Sequence, residues 1–339
     1  MTPPGMSTIA SGSGAPLPTE QLALRRRVPT PMNKCTLGAM HVLVVHFNTP
    51  GLTTRLVRDF PRETPHGRTI FIHLLDNCST PQNLGSLRAN IAGLQGVTLQ
   101  ISNENIGFGE GMNVLAASDV VDESDILWLL NPDTRLRAGC LENLEDELDY
   151  GHFAVVSPLI FSGETADPWI WYCGGSISTR ELRVRHQLYG CGLAASPHRS
   201  FETEFVTGAA PMMRASTFRA VGGFPRGYFL YWEDVHFSWK ARVLGFRLGV
   251  VPAARLWHHV GASSGSDRSR TFYYWYARNR FAFARDSGIP RRRLIAGRGG
   301  FESLRFAARA LLVEREERLS KGSAAIRGTI RGFRSTTGD

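Results

Sequence analysis

The chain has 339 residues, is 42% hydrophobic and carries a formal net charge of +9. This is a globular composition, long enough for one large or two ordinary domains. With no apolar run of about 18 residues, no transmembrane helix is expected, and with no apolar stretch after the first basic residues, no secretory leader. The five cysteines (Cys35, Cys78, Cys140, Cys173, Cys191) are odd in number, widely spaced and free of any C-x-x-C pair. That pattern favours reduced thiols in a cytosolic compartment and no zinc knuckle. The charge is local: residues 291–334 carry twelve Lys/Arg against four acids, whereas 41–290 are nearly neutral. A basic tail on a neutral body points to an anionic surface as partner, lipid or nucleic acid by charge alone.

Residues 1–38 are rich in Pro, Gly, Ser and Thr without periodicity, and are expected to be disordered. Order begins with a strand at 41–47, closed by Asn48-Thr49-Pro50-Gly51, and a helix over 52–60. Strands are expected at 70–75, 97–101 and 126–130. The second ends in Asp76-Asn77-Cys78-Ser79 and the fourth in Asn131-Pro132-Asp133, where Pro132 cannot continue a ladder. Gly107-Phe108-Gly109-Glu110-Gly111-Met112-Asn113 opens a helix after the third strand. Strands alternating with helices indicate a doubly wound, mostly parallel sheet, and the polar clusters then share the edge where a nucleotide lies.

A helix over 139–150 carries Leu141, Leu144 and Leu148 on one face. Its acids Glu142, Glu145, Asp146, Glu147 and Asp149 are expected to be solvated. Residues 163–204 are turn-rich with short β-like runs, an irregular β region suited to shaping an acceptor site. Residues 205–214 read as a strand, 216–221 as a helix stopped by Gly222-Gly223, 248–251 as a strand, and 271–286 as an aromatic-rich helix. Val235, Trp239 and Val243 recur at helical spacing, so a helix begins near Glu233.

Four features have two readings each. Asp133 fits a turn acid or an oxygen ligand for a divalent cation. Gly107, Gly109 and Gly111 miss the dinucleotide spacing; they fit a tight turn or a backbone approaching a diphosphate. Glu233 and Asp234 fit macrodipole compensation, or Asp234 as a proton acceptor. From Arg291 onward, Phe301, Leu304, Ala308, Leu311 and Leu312 form an apolar stripe with Arg305, Arg309, Arg315 and Arg318 beside or opposite it. That is the form of an interfacial membrane helix, or of a helix packed on the body.

Taken together, Val45-His46-Phe47-Asn48, Asp76-Asn77-Cys78-Ser79, Asn103 to Asn113, Leu129-Leu130-Asn131-Pro132-Asp133, Gly208-Ala209, Gly222-Gly223-Phe224, Phe229 to Asp234, and His258 with Gly261 and Ser263 form an ordered set. On these motifs the chain resembles family 2 glycosyltransferases of the GT-A fold, specifically the bacterial rhamnosyltransferase-like group, over about residues 41–285. The resemblance implies an α/β GT-A fold: a Rossmann-like doubly wound sheet, an irregular β acceptor region and C-terminal helices. It implies a domain at 39–288, with a nucleotide-sugar half to about 150 and an acceptor half after it, followed by a basic amphipathic tail at 289–339.

The resemblance also implies roles. Asp76, Phe47 and Asn48 would meet the donor base, with Asn77 and Asn131 at the donor site. Asn105, Gly107, Gly111 and Asn113 would line the diphosphate-sugar. Asp133, the surviving acid of a D-x-D motif whose first position is Asn131, would hold Mg²⁺ or Mn²⁺ with His258. Asp234 would be the general base of an inverting transfer, Glu233 an aid to acceptor orientation, and Gly208 and Trp232 acceptor contacts. The donor implied is dTDP-L-rhamnose, with UDP-sugars, as in galactofuranosyl transfer, the alternative. The acceptor implied is a polyprenyl-linked sugar or growing polysaccharide, which with the basic tail places the protein peripherally at the inner face of the plasma membrane, with no nucleic acid as partner. A sugar nucleotidyltransferase would need a Gly-rich, Lys/Arg-bearing loop after the first strand, and Asn48 to Gly51 is none. A non-catalytic nucleotide- or nucleic-acid-binding protein rests on the tail's charge alone.

Overall fold

The computed structural model describes residues 38–164, 166–259, 268–290 and 292–335. The reading of residues 1–38 therefore falls almost wholly outside the described residues, as do Gly261 and Ser263. Chain order is β1 (Met40–His46), α1 (Pro50–Asp59), β2 (Ile70–Asp76), α2 (Pro81–Ile91), β3 (Val97–Ile101), α3 (Phe108–Ala116), β4 (Ile126–Leu129), β5 (Thr134–Leu136), α4 (Cys140–Tyr150), β6 (Val155–Ser162), β7 (Trp169–Tyr172), β8 (Gly175–Ser178), β9 (Arg183–His186), β10 (Phe201–Thr203), β11 (Met212–Arg214), α5 (Ala215–Val221), α6 (Glu233–Val243), β12 (Leu248–His258), α7 (Arg270–Asp286), α8 (Arg292–Ile295), α9 (Gly297–Leu312) and α10 (Arg318–Ser335).

The main sheet runs β10-β12-β6-β11-β4-β1-β2-β3, with β5 beside β12 and β7 beside β6. β1 pairs in parallel with both β2 and β4, so the carboxyl ends of these three strands adjoin. Their apolar runs are buried from both faces, with Val42, Leu43, Val44, Ile72, Leu74 and Trp128 at 0% exposure, as parallel strands between helical layers require. β11 runs antiparallel between β4 and β6, so β6 and β12 beyond it keep the direction of β4. Only its last three residues are strand; the expected strand over 205–214 is otherwise irregular backbone.

Two further expectations change. The acids of α4 are not all solvated. Glu145 is fully buried and accepts from Arg68 Nε at 2.7 Å and Thr64 Oγ1 at 3.0 Å. Asp149 bridges Arg68 and Arg214, each at 2.6 Å. These pairs fasten α4 beneath the sheet, because a buried carboxylate persists only with its charge matched. The basic stripe read from Arg291 onward is spread over three helices, α8, α9 and α10, and α10 lies along α7 on a seam of small residues. A Cβ added at Gly328 would come 2.2 Å from the Tyr274 carbonyl oxygen. Among the described residues no helix is long and apolar enough to cross a membrane.

Candidate active site

The rim above β1 and β2 is laced from side chain to backbone. Asn48, in left-handed conformation (φ 55°), accepts at Oδ1 from Thr80 N at 2.9 Å and Asn83 Nδ2 at 3.0 Å. Its own N–H donates to Ser79 Oγ at 2.8 Å. Asn77, buried, donates to Asn105 Oδ1 at 3.0 Å and the Gly107 carbonyl at 3.2 Å, and accepts from Ile106 N at 2.9 Å. Phe47, next to these, is 45% exposed with its ring at the rim. Asp76 is 1% exposed and accepts from Ser79 N at 3.1 Å through Oδ2. Its Oδ1 has no hydrogen-bond partner, and neither does His46 Nε2, 3.8 Å away. Burial holds the His46 imidazole below its ordinary pKa despite the nearby carboxylate.

The glycine stretch resolves into close approaches. Gly107 has φ 84°, and a Cβ there would lie 2.2 Å from the Phe229 carbonyl oxygen, which accepts from Phe108 N at 3.1 Å. Both the conformation and the space demand glycine. A Cβ at Gly111 would press on Val45 Cγ2 at 2.8 Å, so Gly111 lets α3 seat on the sheet. Asn113 accepts at Oδ1 from Phe224 N at 2.8 Å, and its Nδ2 donates to Phe224 O at 3.0 Å and Glu110 Oε2 at 3.3 Å. With both ends of its amide engaged, it staples α3 to the turn at 223–224. Asn77 shapes the loop by the same logic, and Asn105 helps through its Oδ1, which accepts from Asn77 Nδ2 and from Gly107 N.

Asp133 emerges at the end of β4, as the proline break implies. Its Oδ1 meets His258 Nε2 at 3.0 Å, and Asn131 Nδ2 lies 3.4 Å from the same nitrogen. His258 is the last residue of β12, edge-on to Trp171 at a centroid distance of 4.8 Å. His259 is exposed and contributes only its N–H, to the Asp133 carbonyl at 3.0 Å. No group of three or more His, Cys, Asp or Glu that could hold a metal occurs among the described residues. Asp133 and His258 nevertheless fit two adjoining positions around a hard cation. Ligands about 2.1 Å from an octahedral ion stand about 3 Å apart at right angles, and such ions take their remaining ligands from phosphate and water.

Across the cleft, Asp234 Oδ2 accepts from Gly208 N at 3.0 Å and Oδ1 from Val235 N at 2.8 Å. Burial raises the Asp234 carboxyl to about 6, against the pull of these amide donors. Glu233 is raised well above the carboxylate range, first by burial and then by the Asp234 charge, and its Oε2 lacks a partner. The Glu233 side chain packs against Gly109. The two sides of the cleft are joined through one dipeptide: Asn131 N donates to Ala209 O at 3.0 Å, while Gly208 N holds Asp234.

Trp232 is 1% exposed, its ring packed on Tyr276 and Phe283. The ring lies in the hydrophobic core. Sequence reasoning missed what it does: Tyr231 and Trp232 are both left-handed, at φ 68° and 73°. Aromatic residues adopt that region only under constraint. The constraint is Asn279 of α7, fully buried, whose Nδ2 donates to the Leu230 and Tyr231 carbonyls at 2.8 Å each. A buried asparagine in an aromatic helix was the available signal.

No protein-family model matches the chain. It is 24% identical over 220 residues to N-acetylglucosaminyl-diphospho-decaprenol L-rhamnosyltransferase of Mycobacterium tuberculosis, covering 59% of this chain and 70% of that protein. It is 25% identical over 208 residues to rhamnosyltransferase WbbL of Escherichia coli, covering 58% and 75% respectively. Among solved structures, GalNAc-T7 with UDP, GalNAc and Mn²⁺ superposes with TM-score 0.56 at 16% identity, covering 78% of this chain and 58% of that one. The mannosyltransferase PcManGT of Pyrobaculum calidifontis, with GDP-Man and Mn²⁺, superposes with TM-score 0.50 at 15% identity, covering 94% and 82%. The fold is thus that of GT-A glycosyltransferases.

Proposed function

We propose that this chain, a glycosyltransferase by fold and sequence similarity, is an inverting transferase. It would move L-rhamnose from dTDP-L-rhamnose to a hydroxyl of a lipid-linked or polysaccharide acceptor in cell-envelope glycan synthesis. The observation that carries the reading is the pairing, across Gly208-Ala209, of a proton acceptor with a cation-binding pair. Asp234 stands on one side, Asp133 and His258 on the other.

Phe47 offers a ring face to the donor base, and the unpartnered Asp76 Oδ1 accepts its imide N–H. Asn48, Asn77, Asn105 and Gly107 fix the floor beneath. Asp133 and His258 would hold a Mg²⁺ or Mn²⁺ ion, which would supply positive charge to the diphosphate leaving group. Asp234 takes the acceptor hydroxyl proton as that oxygen bonds to the anomeric carbon and the bond to the diphosphate breaks. A base with a pKa near 6 is ionised at neutral pH yet basic enough for the task. Uracil and thymine share the imide N–H, so a UDP-sugar donor is the second reading, as in galactofuranosyl transfer.

The test is a panel of dTDP- and UDP-sugars with purified protein, following nucleoside diphosphate release with and without Mg²⁺ or Mn²⁺. The expected result is cation-dependent release from dTDP-L-rhamnose, abolished by Asp133→Ala. Turnover of no donor, with or without a lipid-linked acceptor, would make the chain a binder and overturn the reading.

A further inference from the structure

The C-terminal helices invert the usual amphipathic arrangement. Small residues face the protein and large apolar ones face outward. On α9, Ala310 is fully buried, and Phe306 and Ala307 pack on Tyr273 of α7; on α10, Ala324 and Ala325 join the same cluster. Gly322 abuts Leu311 and Gly332 abuts the Arg278 carbonyl. Meanwhile Phe301, Leu304 and Leu312 on α9 are 65%, 72% and 74% exposed, and Leu319 on α10 is 82% exposed. Ile326 and Ile330 lie outward beside it.

At about 100° per residue, Phe301, Leu304, Ala308, Leu311 and Leu312 fall within an arc of about 100°. Arg298, Arg305 and Arg309 form its flank. On α10, Leu319, Ile326 and Ile330 fall within an arc of about 40°, and Arg327 and Arg331 lie beside it. The 18 residues of α10 contain no acid. The pair is held rigidly: buried Glu314, between the helices, accepts from Tyr273 Oη at 2.6 Å and Lys321 Nζ at 3.4 Å, and its carbonyl accepts from Arg318 Nε. Burial pushes the Glu314 carboxyl up, but these donors hold it below its ordinary pKa.

We propose that α9 and α10 together form a preassembled docking face for an anionic lipid bilayer, inserting their leucine and isoleucine side chains to the depth of the headgroup boundary. The composition selects the occupant. An apolar stripe with an arginine flank and almost no acids matches acyl chains beneath anionic headgroups. A second copy of the same face would set arginine against arginine. The proposal deepens the reading of a lipid-linked acceptor and rests on it for its purpose, though not for its test.

The test is flotation of the full chain with vesicles of equal phosphatidylglycerol and phosphatidylcholine, against phosphatidylcholine alone. Wild type is expected to float with the anionic vesicles. Leu304→Glu with Leu319→Glu is expected to weaken partitioning at least about tenfold, from the apolar area lost, with an unchanged melting temperature because both side chains point outward. Arg327→Glu with Arg331→Glu is expected to abolish the preference for anionic lipid. Undiminished flotation of the leucine variant would overturn the proposal. So would a wild-type chain that ignores vesicles and sediments as a dimer through this face. Donor turnover with a short-chain, water-soluble acceptor is expected to be equal in wild type and the leucine variant; loss of turnover in both would count against the transfer reading and leave the docking face standing.

Discussion

At the carboxyl ends of β1 and β2, Asn48, Asn77 and Asn105 direct hydrogen bonds to neighbouring side chains and to the backbone, which braces the wall we propose for the donor. Its two unpartnered buried atoms, Asp76 Oδ1 and His46 Nε2, lie side by side. The opposite wall, around the amino end of α6, is built otherwise. Two consecutive aromatics stand in left-handed conformation, two adjacent carboxyls have raised pKa values, and Glu233 Oε2, Trp232 Nε1 and His236 Nδ1 are buried without partners. One wall is braced largely by side-chain and backbone hydrogen bonds. The other gathers left-handed aromatics and desolvated carboxyls, where we propose that a proton moves.

That contrast can be broken most severely at Asp234. Asp234→Asn is expected to lower kcat by about 10³-fold with little change in donor KM, as for loss of a general base. In wild type, protonation below about pH 6 removes the acceptor of the proton, so kcat/KM is expected to fall tenfold per unit on the acid side. The stability sign is opposite. The folded pKa lies above the unfolded one, so folding takes up a proton between them, and stability is lost as pH rises through about 6. The asparagine variant escapes that loss and is expected to melt higher than wild type at pH 8. A variant that stays active, or melts lower, would show that the carboxyl is structural.

Next in size is the support under the donor wall. Glu145→Ala leaves Arg68 buried with half its charge partners and is expected to cost about 3 kcal/mol in denaturant unfolding. Glu145→Gln, which still accepts from Arg68 and Thr64, should cost less. A loss below about 1 kcal/mol would mean the pair is as dispensable as a surface one.

The smallest change sharpens the comparison. Asn279→Ala removes two hydrogen bonds to the 230–231 carbonyls and is expected to cost about 2 kcal/mol. It should also depress kcat more than donor KM, because the strained turn positions α6 and its acids. Equal depression of both parameters would place Asn279 in general folding.

The strand ends at this rim were legible in the sequence because their signals are local. Proline, asparagine and aspartate stop strands, and three such stops on neighbouring strands define an edge. The sequence also placed α6 and the β4 end correctly. What it hid depends on distance. Glu145 looked solvated because Arg68 lies 77 positions away, and Asn279 looked incidental because its partners are carbonyls 48 and 49 positions back. Helix α2 went unread because Pro81–Ile91 has polar and glycine residues where an apolar stripe is sought. Thr80, which caps it by accepting from Asn83 N, was the better sign. Helix α10 was obscured by Gly322, Gly328 and Gly332, which weaken a helix in isolation but here admit the backbone of α7.

That glycine seam also sets which substitutions the C-terminal helices can absorb. In an ordinary surface helix the outer positions are free and the inner ones want bulk. On α10, any side chain at Gly328 collides with the Tyr274 carbonyl, whereas Leu319, 82% exposed, can be exchanged for a polar residue with little loss of packing. A protein engineer rendering this chain more soluble by replacing its outward leucines would see a better-behaved sample and an intact fold, and would have removed the surface that we propose brings the enzyme to its membrane.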